Sequence, residues 1–182
     1  TRRGVRRVTP VEVSLLGFGS SARRGATGWT DPVRPRSVID LVQPHRTIDG
    51  ASPAKGADEV FYQAARDHFT RDGLNTDRAK RCPVDTHLDG PWPAAGHRRN
   101  ARMYRDHRPS LAVGFVSGVV GTAISSGSAG MLRVCLVGLG EVPPCPVVVY
   151  RDDGVEPYPS LRVALDQLRR LYALTRDARL VD

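Results

Sequence analysis

The chain has 182 residues, of which 40% are hydrophobic and 25% charged; that is enough for one ordinary core and excludes wholesale disorder. The formal net charge of +8 is uneven, since residues 1–109 hold 20 basic and 12 acidic side chains while residues 110–182 hold 7 of each. Three irregularly spaced cysteines argue against both a disulfide framework and a zinc site, and 18 glycines with 14 prolines imply long irregular connections.

Residues 1–10 read as a basic arm. The Arg-rich opening TRRGVRRV has no apolar signal-peptide core behind it, as in a mature chain whose targeting segment has been removed or in an expressed fragment. VEVSLLGFG (11–19) predicts a strand, SSARRGATGWTDPVRPRS (20–37) a loop, and SVIDLVQPH (37–45) a short apolar run ended by Pro44. A helix is expected over 57–72: Gly56 and Gly73 bound it, and Asp58 and Glu59 suit its first turn. Val60, Phe61, Ala64, Ala65, His68 and Phe69 give it one apolar face. Residues 74–109 show almost no apolar periodicity. Within them, RRNARMYRDHRP (98–109) sets five arginines against Asp106 and reads as a short basic helix or an extended phosphate-touching segment.

The stretch 111–132, LAVGFVSGVVGTAISSGSAGML, has no charged residue and 22 positions, the length of a membrane-spanning helix. Gly114, Gly118, Thr122, Ser126 and Gly130 recur every four positions, a seam along which helices pack closely in a membrane. The competing expectation is a hairpin: β-branched residues up to Ile124, a turn at SSGSAG (125–130), and a return along MLRVCLVGL (131–139). VVVYRDDG (147–154) predicts a strand and a turn. A second amphipathic helix is expected over 160–175, where Leu161, Ala164, Leu165, Leu168, Leu171 and Tyr172 form a stripe opposite Arg162, Asp166, Arg169 and Arg170.

Motifs with chemistry are few. GFGSSARRG (17–25) has the look of a phosphate-cradling loop after a strand but lacks the GxGxxG spacing and a following GK[ST]. SSGSAGMLRVCLVGL resembles the region around the nucleophile of chymotrypsin-like serine proteases. That resemblance makes Ser126 the nucleophile, with His45 and either Asp85 or Asp89 preceding it in the order His, Asp, Ser. It departs from the family at Ile124, where a glycine shapes the oxyanion hole.

The fold class expected is mixed α+β of low regularity. A basic, irregular first part with one helix (1–109) joins a neutral apolar part with a C-terminal helix (110–182), and the two make one structural unit. The function expected is that of a non-catalytic accessory subunit of a larger assembly, such as a mitochondrial respiratory or ribosomal complex. In that role the chain would be intracellular and would bind other protein subunits. Arg98, Arg99, Arg102, Arg105 and Arg108 would meet RNA or anionic lipid head groups, a membrane would be reached through 111–132, and no cofactor or metal is called for. The alternative is a small serine protease using His45, Asp89 and Ser126.

Overall fold

A computed structural model describes residues 12–21, 28–118 and 125–178. They form a five-stranded sheet and six α-helices. The strands are β1 (Ser14–Gly19), β2 (Arg46–Asp49), β3 (Ala79–Arg81), β4 (Leu111–Val116) and β5 (Val147–Arg151). Every pairing is parallel, and the spatial order is β3-β2-β1-β4-β5. Parallel sheets need cover on both faces, so their strands read as near-continuous apolar runs. All six residues of β4, LAVGFV, are buried. Alternate residues leave on opposite faces: Leu15, Val113, Phe115, Val148 and Tyr150 enter one core, and Leu16, Phe18, Ala112 and Val147 the other.

The helices divide accordingly. α1 (Val33–Val42), α2 (Ala57–Arg71) and α6 (Leu161–Ala178) cover the first face. α4 (Ala95–His107) and α5 (Ser126–Val137) cover the second, and the single turn α3 (Thr86–Asp89) leads into α4. The preference for right-handed crossovers accounts for the change of face, because the chain steps one way from β1 to β3 and then jumps back past β1 to β4 and β5. β1 is bonded to β2 on one side and β4 on the other, so the basic first part and the neutral second part share one sheet.

Local signals explain the elements that match expectation. α2 occupies Ala57–Arg71 and buries Phe61, Ala64, Ala65, His68 and Phe69. α6 (Leu161–Ala178) falls where a helix over 160–175 is expected and buries Leu161, Ala164, Leu165 and Leu168, whereas Leu171 and Tyr172 of the expected stripe are exposed. β1 and β5 fall inside their expected runs.

Three expectations are corrected. Residues 20–37 are not all loop, because α1 starts at Val33, whose N–H bonds the Asp31 carboxylate at 2.8 Å. Residues 74–109 are not irregular, since they hold a 3-10 turn at Thr76–Arg78, then β3, α3 and α4. α4 escapes a periodicity search because its buried stripe is only Ala95, Asn100, Met103 and Tyr104, with arginines between. The run 111–132 is neither a membrane helix nor a hairpin. It is a strand (Leu111–Val116) and the first half of α5, and the expected return strand is helical as far as Val137, where Gly138 ends it at φ 76°. No helix among the described residues is long and apolar enough to cross a membrane. The small-residue seam is correspondingly split: Gly114 lies in β4, Gly118 just beyond it, and Ser126 and Gly130 in α5, while Thr122 and Ile124 fall outside the described residues.

The packing of α2 on β1 depends on Gly17, where an added Cβ would stand 2.5 Å from the Phe61 ring. Phe61→Ala should cost about 3–5 kcal/mol and Gly17→Ala about 1–3 kcal/mol in urea unfolding. The double variant should lose measurably less than the sum of the two, since removing the ring makes room for the new methyl group.

Candidate functional site

In an open parallel α/β sheet, neighbouring strands whose connections leave to opposite faces open a crevice at their carboxyl ends. Here those strands are β1 and β4. Their exits are tied together at Ser20, which is buried. The Ser20 N–H donates to the Phe115 carbonyl at 2.9 Å, and its hydroxyl accepts the Ser117 N–H at 3.0 Å. The Ser20 carbonyl accepts N–H groups from Trp29 at 3.1 Å and from Ala57, the first residue of α2, at 3.0 Å. Such close approach needs residues without a side chain. A Cβ on Gly19 would lie 2.0 Å from the Phe115 carbonyl oxygen, and one on Gly56 would lie 2.4 Å from that of Ser20.

α5, the helix that follows β4, begins at this edge of the sheet. Ser125 caps it, its Oγ accepting the Ser128 N–H at 3.3 Å. No acidic residue occupies the first turn. The N–H groups of a first turn have no partner within their own helix, and the helix dipole gives them positive character.

Beside the crevice, at the carboxyl ends of β2 and β3, lies a four-membered charge cluster. Asp49 is 1% exposed. Its carboxylate accepts the Ala51 N–H at 2.8 Å and Arg81 Nε at 3.0 Å. Arg81 also reaches Glu59 at 3.0 Å and stacks 4.1 Å from the Tyr62 ring centroid, while its Nη2 is buried with no hydrogen-bond partner. Asp58 accepts the Ser52 N–H at 3.1 Å and so closes the loop that follows β2. Arg99, from α4, donates to the carbonyls of Gly50 and of Cys82, the latter at 3.0 Å, and to Asn100 Oδ1 at 3.0 Å. Burial, and then the charge of Asp58, push the Asp49 carboxyl up to about 7 against the pull of Arg81. Burial also raises Asp58 against the charge of Arg99, and burial lowers Arg99. The cluster can therefore hold an extra proton close to neutral pH.

The residues singled out by sequence are dispersed. His45 precedes β2 and so lies at the amino-terminal edge of the sheet, whereas Ser126 opens α5 at the carboxyl-terminal edge. Asp89 is buried in α3 and forks with Arg102, each oxygen at 2.8 Å. The Arg102 bonds hold its carboxyl down at about 2. Asp85 caps α3 through the His87 N–H at 2.9 Å. The three triad candidates are thus not brought together. The five arginines also part company. Arg99 and Arg102 bind inside the fold, and Arg98 donates to the Asp89 carbonyl at 3.4 Å. Arg105 lies 3.9 Å from Asp106, and Arg108 ends α4. Ser20 lies in GFGSSARRG (17–25), the stretch that has the look of a phosphate-cradling loop. Sequence reasoning missed Asp49, Asp58 and Arg81 as site residues; their local trace is DGASPAKGADE (49–59), a glycine-rich turn with acids at both ends.

Among the described residues, no group of three His, Cys, Asp or Glu side chains is placed to hold a metal ion. Fold and site together define a doubly wound parallel α/β protein whose strand order reverses between β1 and β4. No protein-family model matches the chain. No curated protein matches it either.

Because Asp49 ionises at 3.8 when unfolded and at about 7 when folded, the native state holds the extra proton between those values. Its contribution to stability is complete below the lower value and is lost as pH rises through the upper one. Asp49→Asn has no such proton to lose. Urea unfolding at pH about 4.5 and about 7.5 should show the parent losing on the order of a few kcal/mol more than the variant across that interval.

Proposed function

We propose that the protein binds a small phosphate-bearing ligand in the crevice between the exits of β1 and β4, with the phosphate against the first turn of α5. The observation that carries the reading is the reversal of strand order at β1/β4 combined with an acid-free, serine-capped helix start at that point. The joint at Ser20 supports it by fixing one wall relative to the other. The charge cluster at Asp49, Asp58, Arg81 and Arg99 supports it by supplying a rigid, proton-holding flank. Hydrolysis through Ser126 would need a base beside that hydroxyl, and His45 lies at the other edge of the sheet.

A second reading, the accessory subunit of a larger assembly, draws support from large apolar side chains left on the described surface. Leu41 on α1, Leu136 and Val137 on α5, and Tyr158 before α6 are all exposed. Under that reading the chain would co-purify with other subunits at fixed stoichiometry.

The binding reading is tested by thermal denaturation against a panel of mono- and diphosphate metabolites. At least one should raise the melting temperature of the parent protein. Ser126→Asp, which places a carboxylate in the first turn of α5, should abolish that rise, and Ser126→Ala should keep it. A panel with no effect on the parent, or a rise that survives Ser126→Asp, would remove the proposal.

A further inference from the structure

The opposite edge of the sheet, where the strands begin, carries a second feature that the crevice does not use. A recess of about 400 Å³ is lined by Glu12, Ser14, His45, Arg46, Arg108 and Ser110. Its hydrogen-bonding groups divide into those already spent and those left over. Arg46 donates Nε to Ser14 Oγ at 3.0 Å and Nη2 to the His107 carbonyl at 2.7 Å, which fixes the guanidinium and leaves Nη1 over. Ser110 Oγ accepts the Ser14 N–H at 2.8 Å and donates to the Ser14 carbonyl at 3.3 Å, so it is fully used. Ser14 Oγ accepts from Arg46 and still has its own hydrogen to give. His45 Nδ1 lies 3.2 Å from Arg78 Nη1, a group that can only donate; Nδ1 is therefore the acceptor and Nε2 carries the ring proton. Arg108 is exposed, ends α4 at φ 44°, and its side chain makes no ion pair with a described residue.

Among the described residues, what remains in the recess is a set of donors from four side chains: Ser14, His45, Arg46 and Arg108. Arg78 adds positive charge next to His45. On the acidic side Glu12 is the one carboxylate among the described lining residues, and Asp106 stands 3.9 Å from Arg105. The carbonyl of His107, at the negative end of α4, is covered by Arg46. Burial and then the charge of Arg46 hold the His107 imidazole below its usual value, against the charge of Asp106.

We propose that this recess is a binding site for a phosphate group, either free inorganic phosphate or a phosphomonoester. O–H, imidazole N–H and guanidinium donors lining one recess suit a tetrahedral dianion, which accepts on several oxygens and pairs with arginine in a forked geometry. The volume admits the phosphate and a small substituent. Glu12 disfavours a chain of further phosphates, so a single terminal phosphate fits better than a polyphosphate or a nucleic-acid backbone. The site is independent of the crevice, which lies at the other end of every strand.

Isothermal titration at constant ionic strength, in a chloride background, tests it with inorganic phosphate and with ribose 5-phosphate as probes. The variants are Arg108→Glu, whose side chain is exposed, and Arg162→Glu on α6, an exposed position outside both sites, as the surface-charge control. At least one probe should bind the parent. Arg108→Glu should weaken it tenfold or more, and Arg162→Glu should leave it within about twofold. Saturation should also move the Nε2 resonance of His45, assigned with His45→Gln. Equal affinity for the two probes would identify free phosphate as the ligand, and tenfold tighter binding of the ester would identify a phosphorylated metabolite. No binding of either probe overturns the proposal, as does binding indifferent to Arg108→Glu. Tight RNA binding lost in Arg108→Glu and not competed by phosphate also overturns it, in favour of a polyanion surface.

Discussion

The structure depends on the joint where the backbone of β1 crosses to its neighbours at Ser20. This residue bonds the carbonyl of Phe115 and the N–H of Ser117 on one side, and it receives Trp29 and the first N–H of α2 on the other. Two glycines permit the approach, Gly19 against β4 and Gly56 against Ser20 itself. β1 is also the strand from which the sheet grows in both directions, with β2 and β3 on one flank and β4 and β5 on the other. A side chain at either glycine would have to be accommodated by backbone movement between strands buried on both faces, where close packing leaves little slack. The same joint holds the exits of β1 and β4 side by side, so the stability of the fold and the geometry of the candidate site share one cause.

The positive charge of the chain is put to more than one use. Arg102 is consumed by Asp89 in a two-point fork, and Arg99 binds the carbonyls of Gly50 and Cys82. Arg81 links Asp49 to Glu59 across β3 and α2. Arginine suits these places because its planar group can satisfy several acceptors at once while remaining charged in a half-buried setting. A count of basic residues therefore overstates the charge available to a partner. Of the arginines left over, Arg108 stands at the amino-terminal edge of the sheet.

How far the fold could be read from sequence followed from how each element is buried. α2 and α6 each present a single apolar stripe to one face of the sheet, and a 3.6-residue period reveals them. β1 and β5 are short apolar runs bounded by turn residues. α4 was only half legible: 98–109 reads as a short basic helix or an extended segment, because Asn100 and the paired Met103 and Tyr104 give too little periodicity among its arginines to decide. α5 was hidden for the opposite reason: its buried positions are Ser128, Met131 and Cys135, but its outer positions include the exposed Leu136 and Val137. A strand buried on both sides followed by an all-round apolar helix looks like one long apolar segment, and this is the origin of the membrane expectation for 111–132. The candidate site was less accessible still. Asp49, Asp58, Arg81 and Arg99 come from four elements, and only parallel pairing of β2 with β3, with α4 across their ends, gathers them.

Parallel topology also gives the two ends of the sheet different chemistry. Every strand ends at one edge and every following helix begins there, so carbonyl ends of strands and amino ends of helices meet along it. The carboxylates of Asp49 and Asp58 settle among these groups with Arg81 and Arg99 against them, leaving a nearly balanced cluster whose proton count is sensitive to pH. At the other edge helices end, and their last carbonyls attract cations. Arg46 answers the His107 carbonyl and Arg78 the carbonyl of His45. Once those carbonyls are satisfied, donors outnumber acceptors, and the recess of Arg46 and Arg108 is what remains. The polarity of one sheet thus places the carboxylates of Asp49 and Asp58 at one edge and the recess lined by Arg46 and Arg108 at the other.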